Sequence, residues 1–198
     1  MAKDAGEAAR LAADIGFPVA VKVVSPDILH KTEVGGVALR LADADAVEAA
    51  VSHMAQTIPQ HLPEARIDGY LVSEMVTGGV ECILGISQDE AFGPVVTFGL
   101  GGTLVELLKD TVCALAPVSV EQARAMIGKV RTAPLLTGYR GGPRHDTEAL
   151  AQAISGLSVL AAQHQGTIDT IEVNPLVVMP DTGGVIALDA VIETNDDA

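Results

Sequence analysis

The sequence predicts an α+β fold, in the broad α/β sense, arranged as two lobes. Three observations carry this. Apolar runs of strand length alternate with amphipathic stretches of helical spacing along the whole chain. Hydrophobic residues make up 48% of the 198, but aromatics only 3% and Trp is absent, so Val, Leu, Ile and Ala must build the core. No internal repeat, low-complexity segment or long linker interrupts the pattern.

The first lobe is expected over residues 1–87. Lys3 to Ile15 has helical spacing, and Gly16 ends it. "FPVAVKVV" reads as a strand buried on both faces and "VALRL" as a second strand. "DADAVEAAVSHMAQTI" is a helix opened by an aspartate cap. "GYLVSEMV" and "VECILGIS" read as strands joined in a hairpin at Thr77-Gly78-Gly79. The turn "QDEAFG" leads to the strand "PVVTFG".

The second lobe is expected over residues 88–198. "GLGG" precedes a short helix, "TLVELLKD". The strand "VCALAPV", the helix "VEQARAMIGKV" and the glycine-rich loop "LLTGYRGGPRHD" follow. Then come the helix "TEALAQAISGLSVLAAQ" and the strands "TIDTIEVNPLVV" and "GVIALDAVI", joined by the turn "MPDTGG". The tail "ETNDDA" should fray.

A net charge of -14 argues against nucleic acid and anionic membranes as partners. Any phosphate site must be local. No secretory signal or apolar run of about 18 residues is visible, which predicts a cytoplasmic protein. Cys82 and Cys113 lie in apolar runs and read as reduced core residues.

Three polar residues stand out in apolar strands. A lysine at Lys22 loses hydration unless an anion accompanies it, either a neighbouring carboxylate or a ligand phosphate. Glu172 and Asn174 alternate onto one face of their strand, with Pro175 expected to end its ladder. Asp189 is the lone charge in "GVIALDAVI". A hairpin through "MPDTGG" would pair Asn174 with Asp189, so that Glu172, Asn174 and Asp189 form a hard oxygen set suited to magnesium. A solvent-facing polar strand is the plainer alternative. Gly35 and Gly36 sit between a polar loop and a strand, where glycine permits close backbone approach to a phosphate. The dinucleotide and Walker glycine patterns are both absent.

Taken together, "GFPVAVKVVSPDILHKTEVGGV", "FGLGGTLVELLKD", "APLLTGYRGG" and "IEVNPLVV…ALDA" resemble the ATP-grasp part of the NDP-forming acyl-CoA synthetases. This is the ADP-forming acetate–CoA ligase group, and the succinyl-CoA synthetase β subunit is related to it. The resemblance covers nearly the whole chain. It implies an ATP-grasp fold with a nucleotide bound between two lobes, and an acid–thiol ligase that converts acid, CoA and ATP to acyl-CoA, ADP and phosphate. It implies a phosphohistidine at His30, on a mobile loop over residues 25–36. Lys22 would meet the nucleotide phosphates, and Gly35 and Gly36 would lie over them. Glu74 or Glu81 would bind the base amine or ribose, and Arg140 would meet the transferring phosphate. Asn174 and Asp189, with Glu172 beside them, would hold magnesium.

The family's extra N-terminal helix and strand are missing, as are its CoA-binding and CoA-ligase parts. The resemblance therefore implies a partial first lobe and a partner domain or subunit carrying CoA, with self-association through an uncovered sheet edge as a further outcome. The alternative function is a regulatory or inactive ATP-grasp module fused to an acetyltransferase. A phosphorylatable His30 favours the ligase.

Overall fold

The structure, a computed structural model, describes residues 1–101 and 110–195. The chain divides into two compact units, Met1–Thr77 and Gly78–Ala198. The division falls ahead of residue 87 because the strand Val80–Asp89 pairs only with strands of the second unit.

In the first unit, α1 (Ala5–Ile15) starts where the Asp4 carboxylate accepts from Glu7 N–H at 2.8 Å. Gly16, at φ 96°, closes it. β1 (Val19–Val24), β2 (Val37–Leu41) and β3 (Gly69–Glu74) form an antiparallel sheet in the order β2-β1-β3. α2 (Ala44–His61) is capped by Asp43 and buries Val47, Val51, Met54 and Ile58, a stripe at helical spacing. These side chains and those of α1 pack with Val19, Val21, Val23, Tyr70 and Val72 into one core. β1 is thus covered by helices on one face alone. Lys22 projects to the other face and is half-buried, where burial on both faces was expected.

The second unit is a six-stranded antiparallel sheet covered by helices. β4 (Val80–Asp89), β5 (Gly93–Leu100), β6 (Thr111–Leu115), β7 (Ile168–Val178) and β8 (Val185–Ala187) run in the order β6-β5-β4-β7-β8. β9 (Ala190–Thr194) also pairs with β7. α3 (Val120–Lys129) begins with a capping box between Ser119 and Gln122. α4 (Thr147–Gln163) begins at Asp146, whose carboxylate accepts from Ala149 N–H at 2.9 Å and from Gly184 N–H at 3.1 Å. One residue therefore caps a helix and fixes the β7–β8 turn. Cys82, Leu84, Ile86, Val96, Phe98, Leu100, Ile171 and Val173 face the helices and form the core. Inside it, the fully buried Ser158 accepts from Val118 N–H at 3.0 Å and so satisfies a donor that would otherwise be orphaned.

Four expectations are corrected. β3 and β4 lie in different sheets, so Thr77-Gly78-Gly79 is a crossing and not a hairpin turn. Pro175 does not end β7, which continues to Val178. "GVIALDAVI" is two short strands, with Leu188 and Asp189 between them. Cys82 is buried, but Cys113 is exposed because the edge strand β6 turns it away from the core. The expected helix "TLVELLKD" lies mostly outside the described residues. Among the described residues, no helix is long and apolar enough to cross a membrane.

Candidate functional site

The first unit carries Lys22 and His30 on consecutive pieces of chain. The register of β1 sets Lys22 opposite Val37 on β2 and Leu71 on β3. After Val24 the chain leaves the sheet and returns at Val37. Its departure is pinned: Ser25 Oγ accepts from Asp27 N–H at 3.1 Å, Asp27 Oδ2 accepts from Arg66 N–H at 2.8 Å, and Ile28 is buried in the core. Its return is pinned as well. Gly36 N–H donates to the Lys31 carbonyl at 2.7 Å, and the Gly36 carbonyl accepts from Val23 N–H at 2.8 Å. Between these roots His30 is exposed, and its carbonyl accepts from Glu33 N–H at 3.2 Å. The fold thus presents one imidazole to solvent on a short, doubly rooted loop.

The two glycines have structural reasons of their own. Gly35 adopts φ 68°, the left-handed region. Gly36 is buried, and a Cβ there would meet Val23 Cγ1 at 2.6 Å and the Lys31 carbonyl at 3.0 Å. Glu74 closes β3 in register with Val19, on the helix-covered side of the pleat, whereas Lys22 shares the opposite side with Leu71. Within this unit Lys22 and Glu74 are therefore not brought together.

In the second unit, Glu81 and Glu172 lie on the sheet face away from the helices. Glu81 is paired with Val177, and its carbonyl accepts from Gly101 N–H at 2.6 Å. Burial, with the Glu81 charge added, pushes the neighbouring Cys82 thiol up to about 12 and leaves it inert. Glu172 is opposite Gly85, and its Oε1 accepts from Asn174 Nδ2 at 3.1 Å. Asn174 N–H donates to the Asp189 carbonyl at 3.1 Å, and Leu188 N–H donates to the Pro175 carbonyl at 3.0 Å. The expected pairing of Asn174 with Asp189 is therefore present.

β7 also carries a bulge here. Cys82 pairs with Leu176 and Leu84 with Val173, so Ile83 alone faces Asn174 and Pro175. The N–H that proline lacks falls where the ladder to β4 is interrupted. Two carboxylates and an amide oxygen are by their chemistry hard donors of the kind a divalent cation takes. Among the described residues, no group of three His, Cys, Asp or Glu side chains is placed to hold a metal ion.

Arg140 lies in the loop between α3 and α4. It is exposed, has left-handed φ 51° and ψ 36°, and lies 5.4 Å from the Tyr139 ring centroid. A non-glycine residue in that region is uncommon and is held by its surroundings. Here the loop is closed by Gly142 N–H to the Tyr139 carbonyl at 3.0 Å and by His145 N–H to the Leu136 carbonyl at 2.9 Å.

Sequence reasoning missed two carboxylates. Asp27 holds the root of the His30 loop. Asp110 accepts from Arg131 N–H, Thr132 N–H and Thr132 Oγ1 at 3.0, 2.9 and 2.7 Å. The Arg131 N–H bond, with the Thr132 bonds and the Arg131 charge, holds its carboxyl below the usual carboxylate range. The Ser-Pro-Asp turn signal hinted at Asp27; nothing local marked Asp110.

This rooted histidine loop and this hairpin of acids and amide stand in a chain that matches the model of the ATP-grasp domain family over residues 1–194, and the chain belongs to that family. It is homologous to the ATP-grasp portion of ADP-forming acyl-CoA synthetases. It is 39% identical over 178 residues to ADP-forming acetate–CoA ligase I of Archaeoglobus fulgidus, covering 90% of this chain and 26% of that protein. It is 36% identical over 190 residues to the β subunit of ADP-forming acetate–CoA ligase I of Pyrococcus furiosus, covering 96% of this chain and 81% of that subunit. The chain thus spans about a quarter of the first relative and most of the second.

Among solved structures, it superposes with a TM-score of 0.91 and 37% identity on the dinucleotide-forming acetyl-CoA synthetase 1 of Ca. Korarchaeum cryptofilum, covering 98% of this chain and 84% of that one. That structure is a complex with coenzyme A, Ca-AMPCP and HgCl+. A second structure of that synthetase holds coenzyme A and Mg-AMPPCP, with its phosphohistidine segment pointing towards the nucleotide-binding site. It matches at TM-score 0.78 and 35% identity, covering 95% of this chain and 81% of that one. A third has the phosphorylated segment in a site I orientation, at TM-score 0.83 and 36% identity, covering 98% and 84%.

Proposed function

We propose that this chain is the nucleotide-binding, phosphoryl-transferring part of a cytoplasmic ADP-forming acyl-CoA synthetase, working through a phosphohistidine at His30. The observation that carries this reading is the exposed His30 on a loop rooted at both ends, in a chain related to ADP-forming acetate–CoA ligases.

An imidazole nitrogen is nucleophilic when neutral, near pH 7. It attacks the γ-phosphorus of ATP; the bond to the β–γ bridging oxygen breaks, ADP leaves, an N–P bond forms and the ring gives up its proton. The phosphoramidate then passes its phosphoryl group to a carboxylic acid, and CoA displaces phosphate from the acyl phosphate. The CoA steps belong to a partner domain or subunit. Lys22 supplies a point charge to the nucleotide phosphates from a rigid strand. The backbone at Gly35 and Gly36 lies along them, and Arg140 offers a guanidinium fork to the transferring group. Glu74 or Glu81 accepts from the base amine or ribose. Glu172, Asn174 and Asp189 would hold magnesium, which when bound neutralises charge on the phosphate oxygens.

Incubation with γ-labelled ATP and magnesium tests this reading. Label that is stable to base, labile to acid and lost in His30→Ala is the expected result. Equal labelling in His30→Ala would refute the assignment.

A further inference from the structure

The two roots of the His30 loop are unequal. The return root is locked by packing, since Gly36 fits against Val23 with no room to shift. The departure root rests on one exposed carboxylate bonded to a main-chain donor, Asp27 to Arg66 N–H, and on one docked side chain, Ile28. Arg66 itself is held in place. Its guanidinium pairs with Asp68 at 2.9 Å, and Asp68 N–H donates to the Val24 carbonyl at 2.8 Å, continuing the β3–β1 pairing.

We propose that Asp27, with Ile28, forms a releasable latch that sets the working range of His30. Asp27 is then a positioning residue for phosphoryl transfer. This rests on the reading of His30 as the phosphoryl carrier.

Chain geometry gives the latch its effect. With Ile28 docked, His30 is two residues from a fixed point, and its Cα reaches about 7 Å from it. With Asp27 and Ile28 released, His30 stays one residue from Lys31, held by the Gly36 N–H; once that bond opens too, the fixed points become Val24 and Gly36, each six residues away, and the reach grows to about 20 Å. A docked root confines the imidazole to one locality. A released root lets the same imidazole serve a second. Because the donor is a backbone N–H, the latch depends on the carboxylate of Asp27 and not on the side chain of Arg66.

Asp27→Ala and Arg66→Ala separate these cases. Trypsin cleavage after Lys31 reads loop release without reference to phosphate. Asp27→Ala should raise its rate about tenfold, a change of about 1.4 kcal/mol in the opening equilibrium, and Arg66→Ala should leave it within about twofold. Single-turnover labelling of His30 at saturating ATP reads the functional part. Asp27→Ala should change that rate about fivefold or more, in either direction, with the ATP concentration for half-saturation within about twofold of wild type.

Unchanged cleavage in Asp27→Ala would overturn the latch. Raised cleavage with an unchanged labelling rate would overturn its role in transfer. Equal effects of the two substitutions would overturn the assignment to the carboxylate. Absence of label in the unsubstituted protein refutes the phosphohistidine reading instead, and the cleavage assay still decides the latch.

Discussion

Gly36 lets packing and ligand binding be told apart by a single methyl group. In Gly36→Ala the new Cβ falls 2.6 Å from Val23 Cγ1 and 3.0 Å from the Lys31 carbonyl. Val23 is fully buried between β2 and β3, so it has no free space to enter. The Lys31 carbonyl is the acceptor for the Gly36 N–H, so moving it loosens the loop's own closure. Overpacking of this kind costs about 2 kcal/mol, a factor of roughly 30 in the folding equilibrium. For a unit of the size of Met1–Thr77 this corresponds to a fall of roughly 10 °C in its Tm.

Gly35→Ala is the control. Its φ is 68° but nothing lies within 4 Å of the added Cβ, so only the left-handed conformation is penalised, at about 1 kcal/mol. Hydrogen exchange of peptides from Met1–Thr77 under increasing urea would report the loss unit by unit. Gly36→Ala should be the more destabilised of the two, with peptides from β4 onward unaffected. Stability of Gly36→Ala within about 0.5 kcal/mol of wild type would refute the packing argument and leave phosphate approach as the reason for the glycine.

Other outcomes follow from the same geometry. Asp110 has a folded carboxyl held below its ordinary value, so its contribution is fully present above about pH 4 and is lost as pH falls through the depressed value. Asp110→Asn should lower the urea midpoint at pH 7 and converge on wild type in acid; a gap that widens in acid would reverse the sign. A thiol reagent at neutral pH should modify Cys113 in the native protein and reach Cys82 only after denaturation, counted by mass; two rapid modifications would contradict the burial of Cys82. If the hairpin set holds magnesium, Asp189→Ala should weaken ATP binding with magnesium present by about tenfold and leave metal-free binding unchanged. A titration unaffected in both conditions would remove Asp189 from that role.

What the sequence revealed depended on how local the cause was. The Asn174–Asp189 pairing was readable because a hairpin fixes partners by counting from its turn, here closed by Met179 N–H to the Gly184 carbonyl at 3.0 Å. The His30 loop was readable because its polar and glycine residues are contiguous. Asp27 with Arg66, and Asp110 with Thr132, join residues 39 and 22 positions apart, and no periodicity encodes such a bond. Pro175 misled because a proline ends a ladder only where its missing N–H is needed, and the bulge removes that need. Cys113 misled because an apolar run at a sheet edge has only one covered side.

The bulge opposite Ile83 has a consequence for how this sequence can change. Ile171 and Val173 reach the core from odd positions, Leu176 and Val178 from even ones, and the switch of parity occurs at Asn174-Pro175. Deleting either residue would leave a uniform alternation in which Ile171, Val173, Leu176 and Val178 all still face the core and Glu172 still faces away from it. The extra residue is therefore not needed by the core; it sets Asn174 and Pro175 together opposite Ile83, with the proline where no ladder donor is required. The strand thus carries one residue more than its core needs, and the surplus sits where Asn174 and Pro175 bond to the Asp189–Leu188 stretch.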